Sequence, residues 1–190
     1  MTDLNKAKTN IPVEPCYVSI DVETAGPFPD RFALLSIGAC MVDDLERTFY
    51  RQLQPDRPAH EVQALAVSGL SLETLAEEGI PAEEAMRQFD EWLSVNTPAH
   101  QIPVFVAFNA AFDWMFVQDY FHRYLGRNPF GHSALDIKAL YMGVKGGLWT
   151  ETSYNAIAHQ FDLPTRLQHH ALRDALDQAV LFRKILALRE

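Results

Sequence analysis

The sequence predicts an α/β domain built on a mixed five-stranded sheet. Short β-branched and aromatic runs cluster early, at 16–23, 34–42 and 47–53, with no helical segment between them. Later apolar runs at 104–108 and 134–136 alternate with segments of helical periodicity. The chain has 190 residues, 48% of them apolar, which suits one domain with a core of its own. An antiparallel three-stranded meander plus parallel strands, flanked by helices, is the arrangement that this order favours.

Each element has a local reason. Residues 1–14 are polar and carry Pro12, so they predict a flexible lead-in to a single domain at 15–190. They lack the apolar stretch of a secretory signal. Cys16–Glu23 is the first strand, Leu34–Val42 the second and Arg47–Leu53 the third, with a tight turn at Asp43-Asp44. Pro55 and Pro58 end the meander. His60–Val67 has a helical pattern, which Ser68-Gly69-Leu70-Ser71 breaks. Pro81 sits in a first turn, and Ala85, Met86, Phe89, Trp92 and Leu93 then form an apolar face. Val104–Phe108 is a buried strand and Ala111–Leu125 a strongly apolar helix. Ala134–Asp136 leads into a helix at Ile137–Met142. Ser153–Gln160 and Ala171–Leu188 are the last two helices. In the apolar helix Trp114, Met115, Phe116, Tyr120 and Phe121 are expected in the core. Cys16 and Cys40, both in strands, are expected as buried thiols rather than a disulfide.

The net charge of −9 argues against tight, non-specific duplex binding, which needs a basic surface. It does not argue against a short single strand held at a metal site, where cations would cancel several charges locally. No run approaches the roughly 18 apolar residues that span a bilayer, so no membrane contact is expected and the expected location is cytoplasmic.

Three segments carry chemistry. In Tyr17-Val18-Ser19-Ile20-Asp21-Val22-Glu23-Thr24 two acids stand two positions apart in a strand, so both point to one face. Paired like charges at the end of a buried strand are tolerated where a hard cation lies between them. In Phe108-Asn109-Ala110-Ala111-Phe112-Asp113 a strand turns into a helix whose first turn holds Asp113 among aromatic residues, a costly place for an unpaired charge. In His169-His170-Ala171-Leu172-Arg173-Asp174 an acid opens the last helix. Ala171, Ala175 and Ala179 give that helix a face for close packing on the sheet. Asp174 borders this face. Asp177, beside Gln178 and Arg173, is expected in solvent. A histidine tunes easily to act as a base near neutral pH.

Together these segments resemble the DEDD superfamily of 3′-5′ exonucleases in its histidine branch (DEDDh). That family includes the proofreading subunit of bacterial replicative DNA polymerase, ribonuclease T and oligoribonuclease. The resemblance covers roughly residues 16 to 188. It implies a ribonuclease H-like fold. It implies that Asp21, Glu23, Asp113 and Asp174 hold two Mg2+ ions, which Mn2+ can replace, and that His169 is the general base. His170 lies four residues before Asp174, where a sister branch places a tyrosine. The histidine branch uses the five-residue offset, which selects His169. Val67-Ser68-Gly69-Leu70-Ser71 resembles the family's loop beside the terminal nucleotide. Asp136 matches an acid of structural role, and Phe108 stands where relatives frequently carry histidine.

The activity implied is stepwise hydrolysis of terminal phosphodiester bonds in single-stranded DNA or RNA, releasing nucleoside 5′-monophosphates. Such chemistry needs a water activated in line with the leaving 3′ oxygen, which a metal pair supplies. Thr24 and Ala25 are candidates to offer backbone groups to the terminal 3′ hydroxyl. Leu70, Asn109 and Phe112 are candidates around the last nucleotide, and Arg166 for a phosphate. A homodimer, or a polymerase partner, is consistent with the family. Two other readings compete: a non-catalytic module of the same fold that binds nucleic-acid ends or a protein, and a metal-dependent phosphatase of another fold. The second lacks a phosphate-cradling glycine loop or an HExxH zinc motif.

Overall fold

The computed structural model describes residues 13–165 and 168–189. β1 (Glu14–Thr24), β2 (Leu34–Met41) and β3 (Thr48–Gln52) form the antiparallel meander. β4 (Gln101–Ala107) pairs parallel to the other edge of β1, and β5 (Ala134–Asp136) pairs parallel to β4. The strand order is β3-β2-β1-β4-β5, the mixed five-stranded sheet expected. The link between β2 and β3 covers residues 42–47 and turns at Leu45-Glu46, where the Arg47 amide donates to the Asp44 carbonyl, rather than as a tight turn at Asp43-Asp44; the Arg47 guanidinium reaches both aspartates at 3.0 and 3.1 Å. Most of the expected lead-in lies outside the described residues, and Glu14 already belongs to β1.

The helices are α1 (Val62–Ser68), α2 (Leu72–Glu78), α3 (Ala82–Asn96), α4 (Ala111–Leu125), α5 (Ile137–Lys145), α6 (Tyr154–Gln160) and α7 (Ala171–Leu186). Short 3-10 turns cover Trp149–Glu151 and Ala187–Arg189. α2 was not expected from the pattern. Ser71 caps it by accepting the Thr74 amide, with Glu73 in the first turn, so the residues that break α1 also start its successor. α1 begins at Val62 rather than His60, and no residue in it is buried.

The sheet separates two cores, and β1 shows why. Its alternate residues Cys16, Val18, Ile20 and Val22 pack with Phe89 of α3 and with Phe116, Tyr120 and Phe121 of α4. Trp114 and Met115 lie partly buried against the same cluster, as expected of this helix. The other face receives α7. Ser19 donates to the Ala175 carbonyl at 2.7 Å, and Ala171, Ala175 and Ala179 are fully buried there. β2 lets α7 approach through Gly38, where a Cβ would lie 2.2 Å from the backbone of Ala171 and Leu172. Gly38 pairs with Asp21. Cys16 and Cys40 are free, buried thiols belonging to the two opposite cores.

Candidate active site

β1 ends in a register shift between Glu23 and Thr24, which re-aims the strand where its acids stand. Odd positions face α7, so Asp21 and Glu23 share that face with Ser19. α7 begins directly above them and brings Asp174, 2% exposed. Asp113 arrives from the first turn of α4 and is 4% exposed. Its Oδ1 accepts the Val22 amide at 3.1 Å, a bond that ties α4 to β1. Asp21, Glu23, Asp113 and Asp174, with His169, all line one open cleft of about 390 Å3. Donor atoms of Glu23, His169 and Asp174 lie within 4.8 Å of one another.

The electrostatics follow from the crowding. Burial, then the charges of Asp113, Glu23 and Asp174, push the Asp21 carboxyl well above its usual range. Burial and then Asp174 push Glu23 up to about 7. Burial is also the main cause that raises Asp113, partly offset by its bond from the Val22 amide. No arginine or lysine pairs with these acids among the described residues. Oxygen ligands clustered without a counter-charge are what a hard divalent cation takes.

Hydrogen bonds orient the acids and leave each an oxygen free. Asp174 Oδ1 accepts the Gln168 amide at 2.8 Å. Asp21 Oδ1 accepts from Gln178 Nε2 at 2.6 Å. The same Gln178 accepts the Phe108 amide at 2.9 Å, so one side chain joins β1, β4 and α7. The expectation for Asp177 takes its neighbour Gln178 as a sign of wet surface, yet Gln178 is 1% exposed. Its position four after Asp174 and one before Ala179 was the signal that it continues the buried stripe. Asp177 is likewise partly covered rather than fully solvated, and burial raises its carboxyl pKa.

The histidines separate. His169 is exposed, on the loop before α7, with φ +54°. His170 stacks on Tyr50 with ring centroids 4.7 Å apart, and its buried Nδ1 lacks a partner among the described residues. The cleft is lined by His169 and not by His170.

Of the expected substrate contacts, Thr24, Asn109 and Phe112 line the cleft, facing Gln63, Ala64 and Val67 of α1. Asn109 takes φ +62° at the turn, which asparagine tolerates better than most residues. Leu70 lies in an adjoining cavity of about 190 Å3 with Glu23, His169 and His170. Ala25 does not join them. It is fully buried, its amide donates to Ala33 and its carbonyl accepts from Glu61, so no backbone group remains for a ligand. Asp136 is structural, accepting the amides of Ala110 and Ala139 at 2.6 and 2.8 Å. Arg166 lies outside the described residues.

Residues 18–182 match the family described as Exonuclease. The chain belongs to the exonuclease family. It is 45% identical over 174 residues to the 3′-5′ DNA exonuclease Cap18 of Escherichia coli, covering 92% of this chain and 93% of that one. The exonuclease is therefore a hydrolase of phosphodiester bonds, of the DEDDh type that its motifs resemble, in a family that depends on divalent metals. Solved structures share the ribonuclease H-like fold. The nuclease domain of 3′hExo, a DEDDh family member bound to rAMP, superposes with TM-score 0.72 at 10% identity, over 91% of both chains. E. coli ExoI in a zinc-bound complex with single-stranded DNA superposes with TM-score 0.69 at 16% identity, over 93% of this chain and 41% of that one. No helix among the described residues of the exonuclease is long and apolar enough to cross a membrane.

Proposed function

We propose that this exonuclease removes nucleotides from the 3′ ends of single-stranded DNA, with Asp21, Glu23, Asp113 and Asp174 holding two divalent cations and His169 acting as general base. The observation that carries this reading is the convergence of those four acids and one exposed imidazole on a single open cleft. The all-oxygen acid set suits Mg2+ or Mn2+. When bound, such a pair activates a water and offsets the charge that builds on the phosphoryl oxygens.

The chain's own residues do the rest. Asp21, Asp113 and Asp174 each commit Oδ1 to a protein donor, which fixes the carboxylate plane and leaves Oδ2 for a cation. His169 takes the proton of the attacking water at one imidazole nitrogen, and its exposed loop position lets that proton pass on to solvent. Attack at phosphorus with departure of the 3′ oxygen releases a nucleoside 5′-monophosphate. Phe112 and Val67, which both line the cleft, grip the terminal base without regard to sequence, since every base has a face to stack. Asn109 adds a polar contact from the cleft wall, while the Thr24 hydroxyl is already donated to the Gly26 carbonyl at 2.8 Å. DNA is favoured over RNA because the 45%-identical relative acts on DNA.

The test is a time course on matched DNA and RNA strands labelled at the 5′ end, with Mg2+ and with EDTA. A ladder shortening one nucleotide at a time on DNA, and silent with EDTA, is expected. Internal cuts, or no cleavage with Mg2+, would reject the reading. A binding-only module of the same fold would hold such strands and never shorten them.

A further inference from the structure

We propose that Lys138 and Trp149 form a second nucleotide subsite, which holds the single strand upstream of the residue being removed. The proposal rests on the nuclease reading above and extends it beyond the cleft. Lys138 lies in the first turn of α5. Its ammonium is 4.4 Å from the centroid of the Trp149 ring and 5.9 Å from that of Phe108. Phe108 lines the cleft. One cation thus links the wall of the active site to an indole on the outer surface.

Trp149 is 52% exposed and its neighbour Leu148 66%. An indole left half in water is not a core residue, and it offers a face on which a base can stack. The charge is complementary to a strand. In a chain of net charge −9, Arg47, Arg57, Arg87, Arg123 and Arg127 are all committed to carboxylates. Lys138 has no such partner among the described residues. It is therefore free to meet a phosphate while a base takes the indole face.

The scaffold is fixed on both sides. Asp136 holds the start of α5 to the turn after β4 through the Ala110 amide. Gly146 and Gly147, at φ +74° and +100°, reverse the chain after α5. The Glu151 carboxylate accepts the Leu148 amide at 2.9 Å, which closes the short turn that carries Trp149. A strand leaving the cleft over Phe108 meets this pair next.

The test uses W149A and K138Q in the full chain. Affinity for a 5′-labelled oligothymidylate of about 15 nucleotides is read by fluorescence anisotropy, with Ca2+ replacing Mg2+ so that binding does not depend on turnover. Each variant is expected to bind about tenfold more weakly, and K138Q to lower the slope of affinity against salt by about one. The effect is expected to scale with strand length, staying below about twofold in KM for the p-nitrophenyl ester of thymidine 5′-monophosphate. W149A with wild-type affinity overturns the proposal. So does an equal loss on the small ester and the long strand, which would mean general damage to the cleft. Wild-type protein that binds through Trp149 yet cuts neither substrate would support the subsite and reject the nuclease reading.

Discussion

Two regions of this molecule draw carboxylates out of water, and they are built in opposite ways. Asp56 sits between β3 and α1 with its side chain 14% exposed. It is met by the hydroxyls of Tyr120 and Tyr124 at 2.5 and 2.8 Å and by the Arg123 guanidinium at 2.5 Å. Tyr120 in turn accepts the Leu34 amide, so the cluster ties α4 to the start of β2. In the cleft, Asp21, Glu23 and Asp113 face one another and Asp174, with no cationic side chain among the described residues to balance them. Burial is common to both regions. What differs is the counter-charge: the protein supplies it at Asp56, and among the described residues none reaches the cleft acids, a part that the proposed reading gives to ions from solution. Of the two, the buried acids without a counter-charge are the ones that point to function.

Breaking the unbalanced side has the largest expected effect. Asp174→Asn or Asp21→Ala should cut turnover with Mg2+ by about a thousandfold or more, while the metal-free variant melts no lower than the wild type, because a repulsive charge is gone. Full activity in either variant, measured on a labelled strand, would erase the contrast. Next comes the balanced side. Asp56→Ala leaves two phenols without their acceptor and Arg123 with Asp119 as its one remaining carboxylate, and should cost about 3 kcal/mol in urea unfolding. Activity of the fraction that remains folded should hardly change. A milder loss than that of an exposed aspartate would show the Asp56 cluster to be ornament.

His169→Ala should lower kcat about a hundredfold with Mn2+ affinity, read by calorimetry, retained. If His170→Ala produced that fall instead, the imidazole on Tyr50 would be the base. The smallest effect is on pH. Glu23 holds its proton up to about 7 in the folded metal-free protein, above the unfolded value. Stability contributed below the unfolded pKa is therefore lost as pH rises through about 7, by roughly 2 kcal/mol from this group. The melting temperature of EDTA-treated protein should fall between pH 5 and 8, and Mg2+ at pH 8 should restore it. A melting temperature that rises over the same window would place the strain elsewhere.

Much of this was legible in the sequence, for identifiable reasons. The i, i+2 spacing of Asp21 and Glu23 assigns them to one face of a strand whatever the fold, because the strand period is two. The alanine stripe of α7 foretold its close seat on the sheet, yet nothing around Gly38 in the sequence marks it as the residue that receives the helix. Gln178 was misjudged because a polar side chain beside Arg173 reads as wet, although its helical phase is that of Asp174. The Asp56 cluster left little local trace: Arg57 is its one neighbour in sequence, while Tyr120, Arg123 and Tyr124 lie more than 60 residues away, and tyrosines on an apolar helix look like core until an acceptor is found for them.

The seat of α7 on Gly38 has a consequence for the order of events during synthesis. The Gln178–Asp21 bond spans 157 residues, and the fourth acid arrives on the final helix. A nascent chain that has emerged only through β5 displays Asp21, Glu23 and Asp113 but nothing to complete them. On the reading proposed above, nuclease competence waits until translation has delivered residues 171–186 and they have docked against Gly38.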